Sequence, residues 1–190
     1  MNDKLKEEIR KIQEILKNGG IILYPTDTIW GLGCDATNAE AVKRIYEIKK
    51  RVDNKSMLVL LDDAGKIASY ADVPAIALDL IEVADKPTTI IYPGAKRLAP
   101  GLIAEDGTIG IRITKEEFTR SLIFRFNRPI VSTSANISGE PSPRFYEDIS
   151  EEIRNAVDYI VDYRQNDHTP ASPSSIIKLG LNGEIQIIRK

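Results

Sequence analysis

Leu5, Ile9, Ile12 and Leu16 recur at three- and four-residue intervals with charged residues between them. That spacing predicts an amphipathic helix, which Gly19-Gly20 stops. The unbroken apolar run in "GIILYP" predicts a short buried strand ended by Pro25. From Asn38, a second stripe of Ala41, Val42, Ile45 and Ile48 predicts a helix with Lys43, Arg44, Glu47 and Lys50 outside it. "MLVLL" (57–61) and "TTIIY" (88–92) predict strands, with one or two short helices between Asp62 and Ala84. "TIGIRI" (108–113) alternates as a strand does, 115–126 predicts a helix, and "PIVST" returns to strand. A helix is expected near 146–156, then strands in "YIVDY", "SSIIKL" and "IQIIRK". Strands and helices mix without alternating strictly. The pattern therefore predicts an α/β (α+β) domain on a mixed, twisted sheet rather than a doubly wound one. A chain of 190 residues suits one domain, 1–190, with a sizeable core.

Composition changes the picture mainly by exclusion. Lys and Arg total 26 against 28 for Asp and Glu, a net charge of −2, which argues against a dedicated duplex-DNA binder. Cys34 is the only cysteine, so no intrachain disulfide can form and a reducing, cytoplasmic setting fits. The charged start, Asn2-Asp3-Lys4, lacks an apolar signal core, and no apolar run reaches membrane-spanning length. His168 is the only histidine and sits in the polar stretch "RQNDHTP". With Cys34 it supplies neither a zinc cage nor a convincing catalytic triad. No GxxxxGK[ST] sequence is present. "GLGCDA" (31–36) mimics a dinucleotide fingerprint, but Pro25 to Trp30 intervene after the strand and the next helix starts only near Asn38.

Three polar clusters remain beside strand ends. In "YPTDTIWGLG" (24–33), Thr26, Asp27 and Thr28 follow a strand, and Gly31 and Gly33 permit close backbone approach or positive φ. That cluster also reads as an Asp-centred turn, with Trp30 in the core. "IKKRVDNK" (48–55) gathers Lys49, Lys50, Arg51 and Lys55. Cations suit a helix C-terminus, but four within this stretch exceed what a cap requires, and Arg can grip phosphate bidentately. "VSTSANISG" (131–139) is either an ordinary turn or a cradle of donors for an oxygen-rich ligand. Alternation along an extended segment would send Ser132, Ser134 and Asn136 to one side and Thr133 and Ala135 to the other. Together the clusters point to phosphate-group handling, in which a protein mainly positions substrates and neutralises charge.

"YPTDTIWGLGCDA", "KKR" at 49–51 and "STSANISG" resemble, in order and spacing, the successive motifs of the YrdC/TsaC family of threonylcarbamoyl-AMP synthases. The resemblance runs from the first strand to the final "IIRK". It implies a twisted, mostly parallel sheet flanked by helices, with a large concave cavity on one side. It also implies a reaction in which L-threonine, bicarbonate and ATP give threonylcarbamoyl-AMP and pyrophosphate, the product passing to a tRNA-modifying transferase. Carried over by motif, Lys49, Arg51, Ser134 and Asn136 would line the nucleotide phosphates and serve catalysis. Lys55, Thr108, Ser142 and Arg189 would fall near ATP. Thr28, Arg112, Ser132 and Ser174 would fall near threonine, with Arg112 facing its α-carboxylate. Mg²⁺ would be held mainly by the ATP phosphates.

The sequence also departs from that family. Val52 and Ser56-Met57 replace usual prolines and Leu, Leu60 a frequent histidine, "DKPTT" (85–89) a "PGPLT" run, and Tyr163-Arg164 a Gly-Gly pair. Longer members add a linker and second domain, so a short, single-domain form is expected. Two other functions compete with synthesis. One is an RNA-binding module that uses the same concave surface, with Lys43, Arg44, Lys49, Lys50, Arg51 and Lys55 as its electrostatic footprint and no catalysis. The other is a divergent paralogue with a different acyl substrate.

Overall fold

The computed structural model describes residues 3–50 and 57–190. The first helix, α1 (Asp3–Lys17), buries Ile9, Ile12 and Leu16 completely. It ends where Gly19 enters the left-handed region (φ +76°) and donates its N–H to Leu16 O. Strand β1 (Ile22–Tyr24) follows and, after residues 25–30, pairs antiparallel with β2 (Gly31–Gly33). The glycine pattern at 31–33 thus belongs to a strand and not to a dinucleotide fingerprint. A Cβ on Gly33 would stand 2.6 Å from the buried Tyr24 ring, so close packing rather than positive φ requires this glycine.

Helix α2 (Ala39–Ile48) begins at Asn38, whose side-chain oxygen accepts from the Ala41 N–H at 3.1 Å. Strand β3 (Leu58–Leu61) leads into a 3₁₀ turn (Ala64–Ser69) and α3 (Ala77–Val83), the short helices expected there. Then come β4 (Thr88–Tyr92), a 3₁₀ turn (Pro100–Leu102), β5 (Ile109–Ile113), α4 (Glu117–Phe126) and β6 (Ile130–Ser134). The helix expected over 146–156 is split into a 3₁₀ turn (Tyr146–Asp148) and α5 (Glu151–Ala156). Ile149 and Ser150 are extended between them, and Ser150 Oγ caps the restart by accepting from Ile153 N–H. The chain ends with β7 (Tyr159–Ile160), β8 (Ser175–Leu179) and β9 (Ile185–Arg189).

The strands form one sheet in the order β7-β1-β2-β6-β3-β5-β4-β8-β9. Only the β1–β7, β3–β5 and β4–β8 pairings are parallel; the others are antiparallel. The sheet is mixed, as the pattern predicts, and not mostly parallel. The connections at 25–30 and 180–184 are too short for a crossover, which forces their strands into antiparallel pairs.

Alternation along the strands gives the sheet two unlike faces. On one, Leu23, Leu32, Val59, Leu61, Ile90, Ile111 and Val131 pack with α2 and α3 residues into the larger core. On the other, Ile22, Tyr24, Leu60 and Ile130 meet Ile9, Ile12 and Leu16 of α1 and Phe118, Leu122 and Phe126 of α4. These two helices cover only one end of that second face.

Candidate active site

Where α1 and α4 stop, the second face continues across β3, β5, β4, β8 and β9. The registers Leu60↔Arg112, Arg112↔Thr89, Thr89↔Ile176 and Ile176↔Arg189 carry one row of side chains across these strands. A neighbouring row contributes Leu58 and Ser132, which face each other, and beyond them Ser134 opposite Gly31. Beyond Leu60, which lies under the helices, these residues floor a cavity of about 550 Å³. Its other walls include Thr28, Trp30, Thr108, Ser142 and Ser174. The volume falls within the range usual for small-molecule sites.

Arg112 dominates the cavity electrostatically. It is only 3% exposed, and its Nη2 lies 2.9 Å from Asp27 Oδ1 and donates to Thr28 Oγ1 at 3.3 Å. Its Nε is buried without a hydrogen-bond partner. A second cation, Arg189, donates from Nε to the Ser174 carbonyl at 2.8 Å. Partial burial, and then the positive charge of Arg112, pull its pKa below the usual guanidinium value. Two guanidinium groups on one wall make the cavity attractive to anions. Between them, the Thr89 and Ser174 hydroxyls share a hydrogen bond at 2.7 Å.

At the rim, Asp106 takes the Thr108 hydroxyl at 2.6 Å and the Lys178 ammonium at 2.6 Å. Those bonds hold its carboxyl well below its ordinary pKa, at about 2. Thr108 therefore presents acceptor lone pairs to the cavity, its own proton being committed to Asp106.

Thr28, Thr108, Arg112, Ser132, Ser134, Ser142, Ser174 and Arg189, all singled out from the sequence, line this one cavity. Thr133 lines it too, so the alternation expected to turn it away does not hold at the mouth. Lys49 and Asn136 stand behind the wall. The Lys49 ammonium is buried and donates to the carbonyls of Ser134 (2.6 Å) and Asn136 (2.7 Å). Asn136 Nδ2 donates to Ile137 O (3.0 Å) and Glu140 O (2.7 Å), folding the segment beyond β6 back on itself. The cation cluster divides: Lys50 reaches outward to Glu152 at 2.7 Å, while Arg51 and Lys55 lie outside the described residues, as do Val52 and Ser56. Leu60 is buried against α1 and α4, away from the cavity. Arg164 adopts φ 58° and donates from Nη1 to Thr26 O.

Several lining residues escape sequence reasoning. Thr89 and Ile91 belong to a strand for which no site role was expected, although alternation opposite Ile90 and Tyr92 does separate them. Trp30, expected in the core, is 5% exposed and also lines the cavity. His168 pairs with the exposed Glu147 carboxylate at 3.0 Å, a surface contact. Among the described residues, no group of three or more His, Cys, Asp or Glu could hold a metal ion. None of their helices is long and apolar enough to cross a membrane.

A family model described as "Telomere recombination", covering Sua5, YciO and YrdC proteins, matches residues 14–190. The chain belongs to the Sua5/YciO/YrdC family. A family member from Methanocaldococcus jannaschii is 37% identical over 179 residues, covering 92% of this chain and 83% of its own. The threonylcarbamoyl-AMP synthase of Pseudoalteromonas translucida is 32% identical over 174 residues, covering 90% of this chain and 91% of its own. Among solved family structures, that of P. abyssi Sua5 complexed with L-threonine is similar with a TM-score of 0.80 and 27% identity. The match covers 90% of this chain and 50% of the Sua5 chain, so this chain spans half the length of that relative.

Proposed function

We propose that this member of the Sua5/YciO/YrdC family is an L-threonylcarbamoyladenylate synthase, a nucleotidyltransferase acting on MgATP, L-threonine and bicarbonate. The observation that carries the reading is the buried Arg112, with an unpartnered Nε, set in a hydroxyl-lined cavity that also holds Arg189. A buried guanidinium with spare donors suits a planar carboxylate. Threonine's α-carboxylate would meet Arg112, with Thr28, Ser132 and Ser174 around the rest of the amino acid. The triphosphate would lie toward Ser134, Ser142 and the loop that Lys49 braces, with Arg51 and Lys55 expected nearby. Arg189 and the acceptor face of Thr108 would meet the nucleoside end, and Mg²⁺ would enter with the phosphates.

The amine of threonine, once unprotonated, takes up bicarbonate as a carbamate with loss of water. A carbamate oxygen then attacks the α-phosphorus, the bond to the β-phosphate breaks, and pyrophosphate leaves. The chain's contribution is to align two anionic reactants that would otherwise repel, and to meet charge growing on phosphate oxygens with fixed donors. Lys49, by pinning the carbonyls of Ser134 and Asn136, would keep those donors in place. The product would pass in the cytoplasm to a transferase that modifies tRNA. In the test, purified protein is given ATP, threonine and bicarbonate, and pyrophosphate is measured with each omitted in turn. Release requiring all three is expected. Release indifferent to threonine would overturn the synthase reading, and release with a different amino acid would point to another acyl substrate.

A further inference from the structure

Arg112 is held in place by a residue that itself lines another cavity. We infer that Asp27 is a positioning residue for Arg112: it anchors the buried guanidinium at one nitrogen and holds the rest of the group turned toward the ligand carboxylate. This inference rests on the threonine reading of the cavity.

A guanidinium 3% exposed needs a compensating charge, and Asp27, its side chain 10% exposed, supplies it. Asp27 Oδ1 approaches Nη2 to 2.9 Å yet makes no aligned hydrogen bond, so the pairing is Coulombic and leaves donors unspent. The carboxylate has little freedom to move elsewhere. Its loop is fixed on both sides by Thr26, whose Oγ1 accepts from Thr28 N–H (3.0 Å) and meets Thr28 Oγ1 (2.9 Å). The same loop is fastened from outside, since Thr119 Oγ1 donates to Pro25 O and Arg164 Nη1 to Thr26 O. Asp27 also borders a separate cavity of about 120 Å³ walled by Ile81, Ile90, Ile111 and Ile113. Asp85, Lys86 and Lys115 also line that cavity, so the pair is held by its own close approach and burial. Asp27 therefore stands as a partition, with Arg112 on the side of the large cavity and the smaller, mixed cavity behind.

Charge alone and positioning predict opposite signs. Asp27 competes electrostatically with a bound carboxylate for the same cation, so on charge alone its removal should tighten threonine binding. If Asp27 instead fixes how the guanidinium is turned, its removal should weaken binding, because the group is then free to turn away.

The test compares wild type with Asp27→Asn, Asp27→Glu and, as a loop-anchor control, Thr119→Val. Positioning predicts a threonine KM raised about tenfold or more in Asp27→Asn, with the ATP KM within about twofold of wild type. Asp27→Glu should recover part of the loss. Thr119→Val should lower the melting temperature without moving the threonine KM. In ¹⁵N-labelled protein without substrates, the Arg112 Nε–H resonance should exchange faster with solvent in Asp27→Asn than in wild type. An unchanged or lowered threonine KM, or a threonine and ATP KM rising together, overturns the inference. Should Asp27→Asn not fold, the same criteria apply to Asp27→Glu, whose longer arm must also raise the threonine KM selectively. If wild type fails to use threonine at all, the synthase reading falls. The positioning role then stands or falls on the Nε–H resonance.

Discussion

Ser134 and Lys49 make the same segment do two jobs, and single substitutions separate them. Ser134 lines the cavity and its hydroxyl bonds to no other described residue, so Ser134→Ala should leave the melting temperature nearly unchanged. Losing one donor to a charged phosphate costs about 1.5–3 kcal/mol, or roughly ten- to a hundredfold in turnover if the contact tightens in the transition state. Lys49→Met instead strips two short charged hydrogen bonds from buried carbonyls. It should lower stability by about 2–4 kcal/mol and turnover with it, read by parallel thermal melts and pyrophosphate assays. Asn136→Ala should resemble Lys49→Met, because its amide straps the loop rather than facing the cavity. Asp106 offers a test by pH. Its carboxyl falls from an ordinary 3.8 to about 2 in the folded chain. Its contribution is thus present above pH ~4 and is lost as the pH falls through the folded value near 2. The side chain is half exposed, so the contribution is held under about 1 kcal/mol. Urea unfolding at successive pH values should show a shallower acid decline for Asp106→Asn than for wild type. Parallel curves would remove Asp106 as the cause.

Elements with a strong period were legible in the sequence, and the relations between elements were not. Ile9, Ile12 and Leu16 announce α1 because burial on one helical face is a local rule, and the same holds for α2 and for the alternation in β5. The helix expected over 146–156 failed because Ser150 caps a new start instead of continuing an old turn. That competition between capping and propagation leaves little trace in the apolar pattern. The placement of β6 between β2 and β3 is a long-range pairing that no local period encodes. So the sequence could supply the hydroxyls of 132–134 but not the direction of Lys49, which depends on where α2 ends against that strand. The β1–β2 hairpin gives a test at this scale. Gly33→Ala places a Cβ against the Tyr24 ring, whose hydroxyl donates to Val131 O at 3.2 Å and can yield little. Overpacking of this kind costs about 1–3 kcal/mol. Denaturant unfolding should show that loss, and Tyr24→Leu in the same chain should relieve much of it. Equal stability for Gly33→Ala and wild type would mean that the ring moves freely.

Across the whole molecule, the cavity exists because α1 and α4 cover only one end of a continuous sheet face, leaving the face of β5, β4, β8 and β9 open. Its floor brings Arg112 and Arg189 together from strands far apart in sequence, and the charge of Arg112 is felt at Arg189. Asp27 compensates only one of the two charges, so anionic ligands should stabilise the fold as well as occupy it. A ligand that binds only the folded chain at a hundred times its Kd adds about 2.7 kcal/mol. In a domain of this size that is a rise of roughly 5–10 °C in melting temperature. MgATP and threonine added separately should each raise it, and together they should raise it further. Arg112→Ala should abolish the threonine increment while keeping most of that from MgATP, and Arg189→Ala should do the reverse. The free Arg112→Ala chain should not be rescued by salt, since its defect is a missing partner for a carboxylate and not a screened field. If both variants lose both increments equally, the two arginines act as one undivided anion site, and separate places for amino acid and nucleotide cannot be assigned to them.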